Sequence, residues 1–353
     1  MSNTFRELLK KVGSGVHTGK DLSRQEAATA TQMLLLQEAT PAQIGAFMIA
    51  HRIKRPTSIE LAGMLDAYEC IGPKLQPTKP VTVFGNPYDG RSRTATVTPL
   101  TALLLATVGI PVVMHGGDCI PTKYGVPLIQ IWQGLGVDFS QLTLPQIEQL
   151  LEKTGLGFIY LPQHFPQAHE LVPYREQIGK RPPLATAELI WCPCAGDNHL
   201  VAGYVHPPTE IRFRNTFELR GVTNFTLVKG LEGSCDLPCD RTVIVTISQP
   251  DAEDGFERVL LHPRDYGFAG KEVPFDSTAQ LLVQMQKVLQ SQSSPLMAAA
   301  IWNGGFYLWR FGICADLPTG FAKAETLFTS GEVAQKLEEI SQAIASNQLT
   351  YQA

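Results

Sequence analysis

The sequence predicts an α/β protein, with a small N-terminal α-helical domain followed by a larger α/β domain built on a mostly parallel sheet. Residues 1–75 have a wholly helical pattern with repeated helix-start signals. After residue 81, short apolar runs rich in β-branched residues alternate with helical stretches, as in parallel sheets covered by helices. The proline-rich segment IGPKLQPTKP separates the two patterns, so we expect domains at 1–75 and 81–353.

Three capping-box patterns mark helix starts in the N-terminal region. In each, a serine or threonine is followed three residues later by Glu or Gln, so that the two side chains satisfy each other's free backbone N–H groups. The pairs are Ser23 with Glu26, Thr40 with Gln43, and Thr57 with Glu60. The apolar stretches between them contain no internal breaker, which predicts a small helical bundle.

Six short runs predict the strands of the second domain: VTVFG, IPVVMHG, GLGFIYLP, HLVAGYV, FTLVKG and RTVIVTI. Most are largely apolar, as expected for strands buried on both faces. In parallel sheets, ligands bind beyond the carboxyl ends of the strands. We therefore expect the functional residues in the loops that follow VTVFG, IPVVMHG, GFIYLP and FTLVKG.

The composition is that of an ordinary globular protein, with 44% hydrophobic residues, 18% charged residues and a net charge of −4. The overall charge does not indicate a nucleic-acid or anionic membrane partner, although a local basic patch is compatible with it. The sequence shows no charged leader followed by an apolar run and no apolar stretch long enough to span a bilayer. These features favour the cytoplasm and no membrane partner.

Other classes of site find little support. No G-x-G-x-x-G follows the first strand and no G-x-S-x-G is present, which argues against a dinucleotide-dependent enzyme and a nucleophilic hydrolase. Seven cysteines include Cys192, Cys194, Cys235 and Cys239, which form two closely spaced pairs. A zinc site from these pairs is the alternative, but buried free thiols are the favoured interpretation.

Two long segments resemble the anthranilate phosphoribosyltransferase family, the family-3 glycosyltransferases. SRQEAATATQMLLLQEATPAQIGAFMIAHRIKRPTSIELAGML resembles the family's helical domain, and GLGFIYLPQHFPQAHELVPYREQIGKR resembles its acceptor segment without a gap. The resemblance implies a phosphoribosyltransferase-like α/β domain, a cleft between the domains and a homodimer through the helical part. It also implies transfer of phosphoribosyl from phosphoribosyl pyrophosphate to an aromatic or nitrogenous acceptor, assisted by Mg²⁺.

The acceptor half of the family pattern is largely retained. His164 and Pro166 match the family's HHP motif, with Phe165 in place of the second histidine. The resemblance places Arg175 on the arginine that orients the aromatic acid, a task suited to a planar guanidinium. The alternative is that Arg175 pairs with a surface carboxylate such as Glu176.

Two further segments at strand ends belong to the predicted site. His115-Gly116 retains the family's HG turn after the second strand, where the histidine either serves the site or only satisfies the turn. The family's first loop, GTGGD, reads here from Gly85 to Asp89 and contains Pro87 and Tyr88. Proline offers no N–H to a phosphate, and tyrosine fills space that a phosphate would need.

In the part of the family pattern that binds the phosphoribosyl donor, charged side chains stand where the family has glycines. Arg91 and Arg93 follow the first loop, and Thr96 and Thr98 stand where the family has N-x-S-T, at a helix N-terminus that favours an anion. Lys123 lies in PTKYG after the second strand. We expect these five residues to bind the donor phosphates. The alternative for the two arginines is a solvated surface loop.

The metal-binding part departs most from the family. Its Asp-Glu pair after LVKG reads Cys235-Asp236 here, and a thiol is a poor Mg²⁺ ligand. Asp236, helped by Glu232 or Asp240, could still hold a hydrated Mg²⁺ ion. Glu232 and Asp236 would share a face only in a helix, which Gly233 disfavours.

Two functions therefore stay open at the level of sequence. The first is pentosyl transfer from phosphoribosyl pyrophosphate or another anionic ligand. The second is a catalytically degenerate protein that binds nucleic acid through a basic cleft, because a nucleic-acid backbone needs cations without a metal. Arg52, Lys54 and Arg55 would join such a cleft, or else are a solvated helix end.

Overall fold

The computed structural model describes residues 3–15, 17–252 and 254–349. Its helices are α1 (Asn3–Gly13), α2 (Arg24–Leu35), α3 (Pro41–Lys54), α4 (Ser58–Ile71), α5 (Thr98–Thr107), α6 (Leu128–Gly134), α7 (Leu144–Thr154), α8 (Leu161–His164), α9 (Pro166–His169), α10 (Val172–Ile178), α11 (Leu184–Ala187), α12 (Pro207–Arg220), α13 (Thr278–Leu289), α14 (Met297–Arg310), α15 (Leu317–Thr329) and α16 (Glu332–Leu349). Its strands are β1 (Thr82–Gly85), β2 (Val112–Gly116), β3 (Leu156–Tyr160), β4 (His199–Gly203), β5 (Phe225–Val228), β6 (Val243–Ser248) and β7 (Phe256–Leu261). Short 3₁₀ turns cover Glu188–Ile190, Leu231–Gly233 and Pro263–Tyr266.

The three predicted capping boxes are present at the starts of α2, α3 and α4. At α2, the Ser23 hydroxyl accepts from the Glu26 backbone N–H at 3.2 Å, and the Glu26 carboxylate accepts from the Ser23 N–H at 2.8 Å. Each box satisfies two backbone donors that the first helical turn leaves free. The sequence therefore located these helix starts correctly.

The predicted fold class is confirmed: a helical bundle precedes an α/β domain with a mostly parallel sheet. The seven strands have the order β3-β2-β1-β4-β5-β6-β7. Strands β1 to β5 pair in parallel, whereas β6 pairs antiparallel with β5 and β7. All six predicted strands are present, and β7 was missed. This edge strand, FERVLL, is largely exposed, so it lacks the apolar run by which the others were identified.

Helices from later in the chain pack on the N-terminal helices and form one helical layer with them. Helix α10 packs on α3, and α11 and α12 pack on α4. Arg220, at the end of α12, forms an ion pair with Glu69 in α4 at 2.7 Å. The predicted linker is also held in place, because the Leu75 N–H donates to the Pro193 carbonyl at 2.8 Å. The boundary predicted at residues 75–81 stays a prediction.

The sheet order places a topological switch point between β1 and β4. The chain leaves β1 towards β2 on one side, and enters β4 on the other. At such a point, the loops after neighbouring strands diverge and leave a crevice at the carboxyl edge of the sheet. Across residues 3–15, 17–252 and 254–349, no helix is long and apolar enough to cross a membrane.

Candidate functional site

A cleft of about 720 Å³ opens at this switch point, between the end of α3 and the loops after β1, β4 and β5. We call it the arginine cleft, after the four arginines that line it: Arg52, Arg55, Arg181 and Arg212. The wall also includes Pro87 of the first loop, Glu232, and residues of the segments 182–189 and 204–209. The cleft thus lies where the sequence predicted a ligand site.

The carboxylate of Glu232 occupies a cradle of backbone donors in the loop after β1. It accepts from the N–H groups of Ser92, Arg93 and Thr94 at 3.3, 3.0 and 3.1 Å, and Lys123 Nζ lies 3.3 Å away. Burial alone would raise the pKa of Glu232, but these donors outweigh it and lower the pKa to about 2. The loop after β1, residues 86–97, is called the donor loop below. It is an anion-binding structure that holds a carboxylate of the protein itself.

Asp236 is the common partner of the other predicted phosphate-binding side chains. Its carboxylate forms a buried ion pair with Arg91 and accepts from the hydroxyls of Thr96 and Thr98 at 2.8 and 2.7 Å. The Val97 N–H adds a contact at 3.0 Å. Arg91, Thr96 and Thr98 therefore point to Asp236 in this structure, not to the arginine cleft. Arg93, by contrast, is 77% exposed, and its Nε lies 3.7 Å from Glu232 Oε2.

The residues present do not fit a Mg²⁺ ion. Both oxygens of Asp236 and both oxygens of Glu232 already accept hydrogen bonds from protein donors. Cys235 is buried, and its thiol donates to the Gly85 carbonyl at 3.3 Å. Asp240 is exposed and pairs with Arg241 at 3.0 Å. In the described part of the chain, no group of three His, Cys, Asp or Glu side chains could hold a metal ion, the two cysteine pairs included.

Gly85, Tyr88 and His115 contact other parts of the protein in this structure. Tyr88 OH donates to His115 Nδ1 at 2.7 Å, and His115 Nε2 donates to the Trp191 carbonyl at 3.2 Å. Burial lowers the pKa of His115 to about 4, so the ring is neutral at physiological pH. A Cβ atom on Gly85 would lie 1.8 Å from the Leu189 carbonyl oxygen, which explains the glycine by close backbone approach. Gly116 closes β2 without such a contact.

The acceptor-half residues are buried in the structure. Arg175 is 3% exposed and forms an ion pair with Glu188, a buried residue that the sequence interpretation did not consider. Glu188 also accepts from Tyr68 OH at 3.3 Å. His164 Nδ1 accepts from the Tyr160 N–H at 2.9 Å, and its Nε2 donates to the Leu142 carbonyl at 2.6 Å. Burial lowers the pKa of His164, in keeping with a neutral ring.

Sequence reasoning missed two of the four arginines in the cleft. Arg181 pairs with Asp89 at 2.5 Å, and Arg212 donates to the carbonyls of Pro208 and Pro56 at 3.2 and 3.4 Å. In the sequence, Arg181 follows Lys180 and precedes two prolines, and Arg212 lies between Ile211 and Phe213, so neither stands in a pattern that indicates a site. Arg52 and Arg55 do face the cleft, whereas Lys54 pairs with Glu60 and Asp21 at 2.8 and 2.5 Å.

Arg212 and Arg55 are like charges that lie close together. Burial, and then the neighbouring Arg55 charge, lower the pKa of Arg212. Among residues 3–15, 17–252 and 254–349, no carboxylate lies within 4 Å of the guanidinium of Arg52, Arg55 or Arg212. This uncompensated positive charge distinguishes the cleft from the closed network around Glu232 and Asp236.

Comparisons with known proteins agree with the fold. The glycosyl transferase family's helical bundle domain matches residues 6–69, and its a/b domain matches residues 89–334. Anthranilate phosphoribosyltransferase of Acetivibrio thermocellus is 26% identical over 345 residues, covering 94% of this chain and 95% of that protein. The same enzyme of Desulfosudis oleivorans is 28% identical over 337 residues, covering 93% and 96%.

Solved structures of such enzymes have the same fold. Anthranilate phosphoribosyltransferase from Saccharomyces cerevisiae, in complex with PRPP and Mg, superposes with a TM-score of 0.84 at 15% identity, over 98% of this chain and 99% of that chain. The enzyme from Thermus thermophilus gives 0.76 at 19% identity, over 98% and 100%. The chain therefore belongs to the glycosyl transferase family that includes the anthranilate phosphoribosyltransferases, as a divergent member.

Proposed function

We propose that this chain binds the sugar-phosphate backbone of a single-stranded nucleic acid in the arginine cleft. The observation that carries the proposal is the set of three arginines, Arg52, Arg55 and Arg212, that face one opening without a carboxylate partner in the described residues. Guanidinium groups pair with phosphate through two parallel hydrogen bonds. Phosphates along a backbone would neutralise these charges without a metal ion.

The state of the donor loop supports this choice over a small pyrophosphate ligand. Arg91, Thr96 and Thr98, which were expected to bind a pyrophosphate, contact Asp236 instead, and Glu232 accepts from the N–H groups of residues 92–94. Neither carboxylate is available to a metal ion. In the arginine cleft, by contrast, a phosphate could bind without displacing a carboxylate of the protein. Ile53 and Val205, which line it, are 66% and 46% exposed, and they offer apolar contacts to sugars and bases.

Phosphoribosyl transfer is the second candidate, favoured by the match to anthranilate phosphoribosyltransferases over nearly the whole chain. Such a transfer depends on positioning and on neutralising the leaving pyrophosphate. In this chain it would require Glu232 to leave the N–H groups of residues 92–94, so that Lys123 and Arg93 could bind phosphate instead. It would also require Arg175 to leave Glu188 before it could bind an acidic acceptor.

Two titrations separate these functions. We expect a fluorescent single-stranded oligonucleotide to bind at low salt, with an affinity that falls steeply as salt rises. We expect phosphoribosyl pyrophosphate to bind weakly, and equally in Mg²⁺ and in chelator. Tight, Mg²⁺-dependent binding of phosphoribosyl pyrophosphate, with pyrophosphate release on addition of anthranilate and no oligonucleotide binding, would reverse the assignment.

Assembly is a separate proposal. A homodimer through the helical part is what the family resemblance implies. Sedimentation equilibrium over a range of protein concentrations tests it, and a single monomeric species throughout that range would refute it.

A further inference from the structure

Cys192 and Cys194 are two thiols that share one side of an extended segment. A residue before proline favours extended backbone, and Pro193 follows Cys192. Side chains two residues apart in extended backbone point to the same side. Both thiols are free, and Cys192 Sγ donates to the Cys194 carbonyl oxygen at 3.6 Å.

These thiols line a pocket that is distinct from the arginine cleft. The pocket has a volume of about 210 Å³, lies between α4, α12 and the start of β4, and shares no lining residue with the arginine cleft. Asn198 Nδ2 lies 3.8 Å from Cys192 Sγ, where an N–H group stabilises a thiolate. Arg220 also lines the pocket, where its charge is paired with Glu69 and Asp66. The surroundings are those of a partly accessible, polar thiol.

The remaining cysteines lack this combination. Cys235, Cys239 and Cys314 are buried, and burial raises the pKa of the Cys235 and Cys239 thiols. Cys70 and Cys119 are exposed, but neither contacts a second sulfur within the described ranges. Cys192 is half-buried at a pocket and has a neighbouring thiol, so it alone combines access with a partner.

We propose that Cys192 and Cys194 form a reactive dithiol that low-molecular-weight disulfides, such as oxidised glutathione, convert to an intramolecular disulfide. The Cys192 thiolate attacks one sulfur of the reagent, the reagent's S–S bond breaks, and its other half leaves as a thiolate. Cys194 then loses its proton and attacks the Cys192 sulfur, releasing the second half. The protein thereby gives up two protons and two electrons, and one reagent disulfide becomes two thiols.

Access assigns the two roles. Cys192 is half-buried, with Asn198 Nδ2 3.8 Å from its Sγ, whereas Cys194 is buried. In keeping with this, the contact between the two side chains lowers the pKa of Cys192 and raises the pKa of Cys194. The thiolate is the nucleophile in disulfide exchange. Cys192 is therefore the attacking residue and Cys194 the resolving one.

Oxidation would act on the junction of the helical layer and the sheet. The Pro193 carbonyl accepts from the Leu75 N–H, and the Ala195 N–H donates to the Leu75 carbonyl, both at 2.8 Å. Extended residues two apart have Cα atoms about 6.6 Å from each other, near the upper end of the range of roughly 4.4 to 6.8 Å that a disulfide spans. The bond would draw these residues together and disturb the contacts with Leu75.

The test is peptide mass spectrometry of the folded wild-type protein after exposure to oxidised glutathione. We expect the peptide that contains Cys192 and Cys194 to lose the mass of two hydrogens, while Cys70 and Cys119 each gain one glutathione. We also expect iodoacetamide to alkylate Cys192 several-fold faster than those two cysteines at neutral pH. In Cys194→Ser, the mixed disulfide should persist at Cys192.

The wild-type result decides the proposal even if a variant does not fold. If Cys192 and Cys194 stay reduced, or each carries a separate glutathione, while Cys70 and Cys119 react, the proposal is wrong. If Cys192 is alkylated no faster than Cys70, its assignment as the attacking thiol is wrong. Oligonucleotide binding is not a readout here, so the test is independent of the function proposed above.

Discussion

The guanidinium of Arg91 forms a buried ion pair with the carboxylate of Asp236, and each side chain is only 3% exposed. The pair joins the loop after β1 to the loop after β5. A basic residue predicted to bind phosphate and an acidic residue predicted to bind Mg²⁺ thus neutralise each other. Substituting either residue is therefore expected to reduce the stability of the protein, and not only its affinity for a ligand.

Substitution Asp236→Asn should lower the free energy of unfolding by about 3–5 kcal/mol, because it leaves the Arg91 charge buried without a counterion. Urea denaturation followed by circular dichroism measures this. Asp240→Asn is the matched control, since Asp240 is an exposed carboxylate of the same loop. Unchanged stability together with loss of a Mg²⁺-dependent ligand affinity would instead identify Asp236 as a metal ligand.

Glu232 should make a pH-dependent contribution to stability. Its pKa is lowered from 4.5 to about 2, so its stabilising effect is complete above the ordinary glutamate pKa and is lost as pH falls from about 4.5 towards 2. Glu232→Gln should therefore be less stable than wild type at neutral pH, and the difference should shrink across that acidic window.

Thermal unfolding at a series of pH values provides the measurement for Glu232. Other carboxylates, such as Glu60 with a pKa of about 2, titrate in the same window, so the difference between wild type and variant is the relevant quantity. Glu257→Gln, an exposed glutamate, is the control. A pH-independent difference for Glu232→Gln would show that its carboxylate does not hold the donor loop.

Arg175→Ala should destabilise the protein by about 3–5 kcal/mol, because it removes the ion-pair partner of the buried Glu188 carboxylate. A role confined to binding an aromatic acid on a cleft wall would instead leave the melting temperature nearly unchanged. Lys180→Ala removes an exposed cation from the same segment and should have little effect. Equal melting temperatures for Arg175→Ala and Lys180→Ala, with loss of anthranilate binding in the former alone, would establish the ligand role.

The double substitution Arg55→Ala, Arg212→Ala should weaken oligonucleotide binding and flatten its salt dependence. On a single strand, each phosphate contact contributes about 0.7 to the slope of log K against log [salt], so two lost contacts remove about 1.4. Fluorescence anisotropy at several salt concentrations gives the slope. Arg264→Ala, which removes a 78% exposed arginine outside the cleft, should leave it unchanged. An equal slope for wild type and the double variant would exclude both arginines from the interface.

The strands and helix starts were predictable because their signals are local. The capping boxes that begin at Ser23, Thr40 and Thr57 each span only four residues. Buried parallel strands appear in the sequence as apolar runs. Strand β7 was missed because an exposed edge strand carries no such run. The edge of the sheet that carries the loops was also predictable, since the carboxyl ends of parallel strands all lie at one edge.

The sequence by itself determined the fold class, the family and the chemical kinds of residue that reach the carboxyl edge of the sheet. Only the tertiary structure decided which charges face each other. Arg91 pairs with Asp236, which lies 145 positions away in the chain, and Arg175 pairs with Glu188. Glu232 fills the N–H cradle of residues 92–94. Arg55 and Arg212, in contrast, have no carboxylate partner among the described residues. A charged side chain carries the same sequence signal whether its partner is a ligand or another part of the protein. The difference depends on distances of a few ångströms between segments far apart in the chain, because electrostatic pairing falls off with separation in space and not with separation along the sequence.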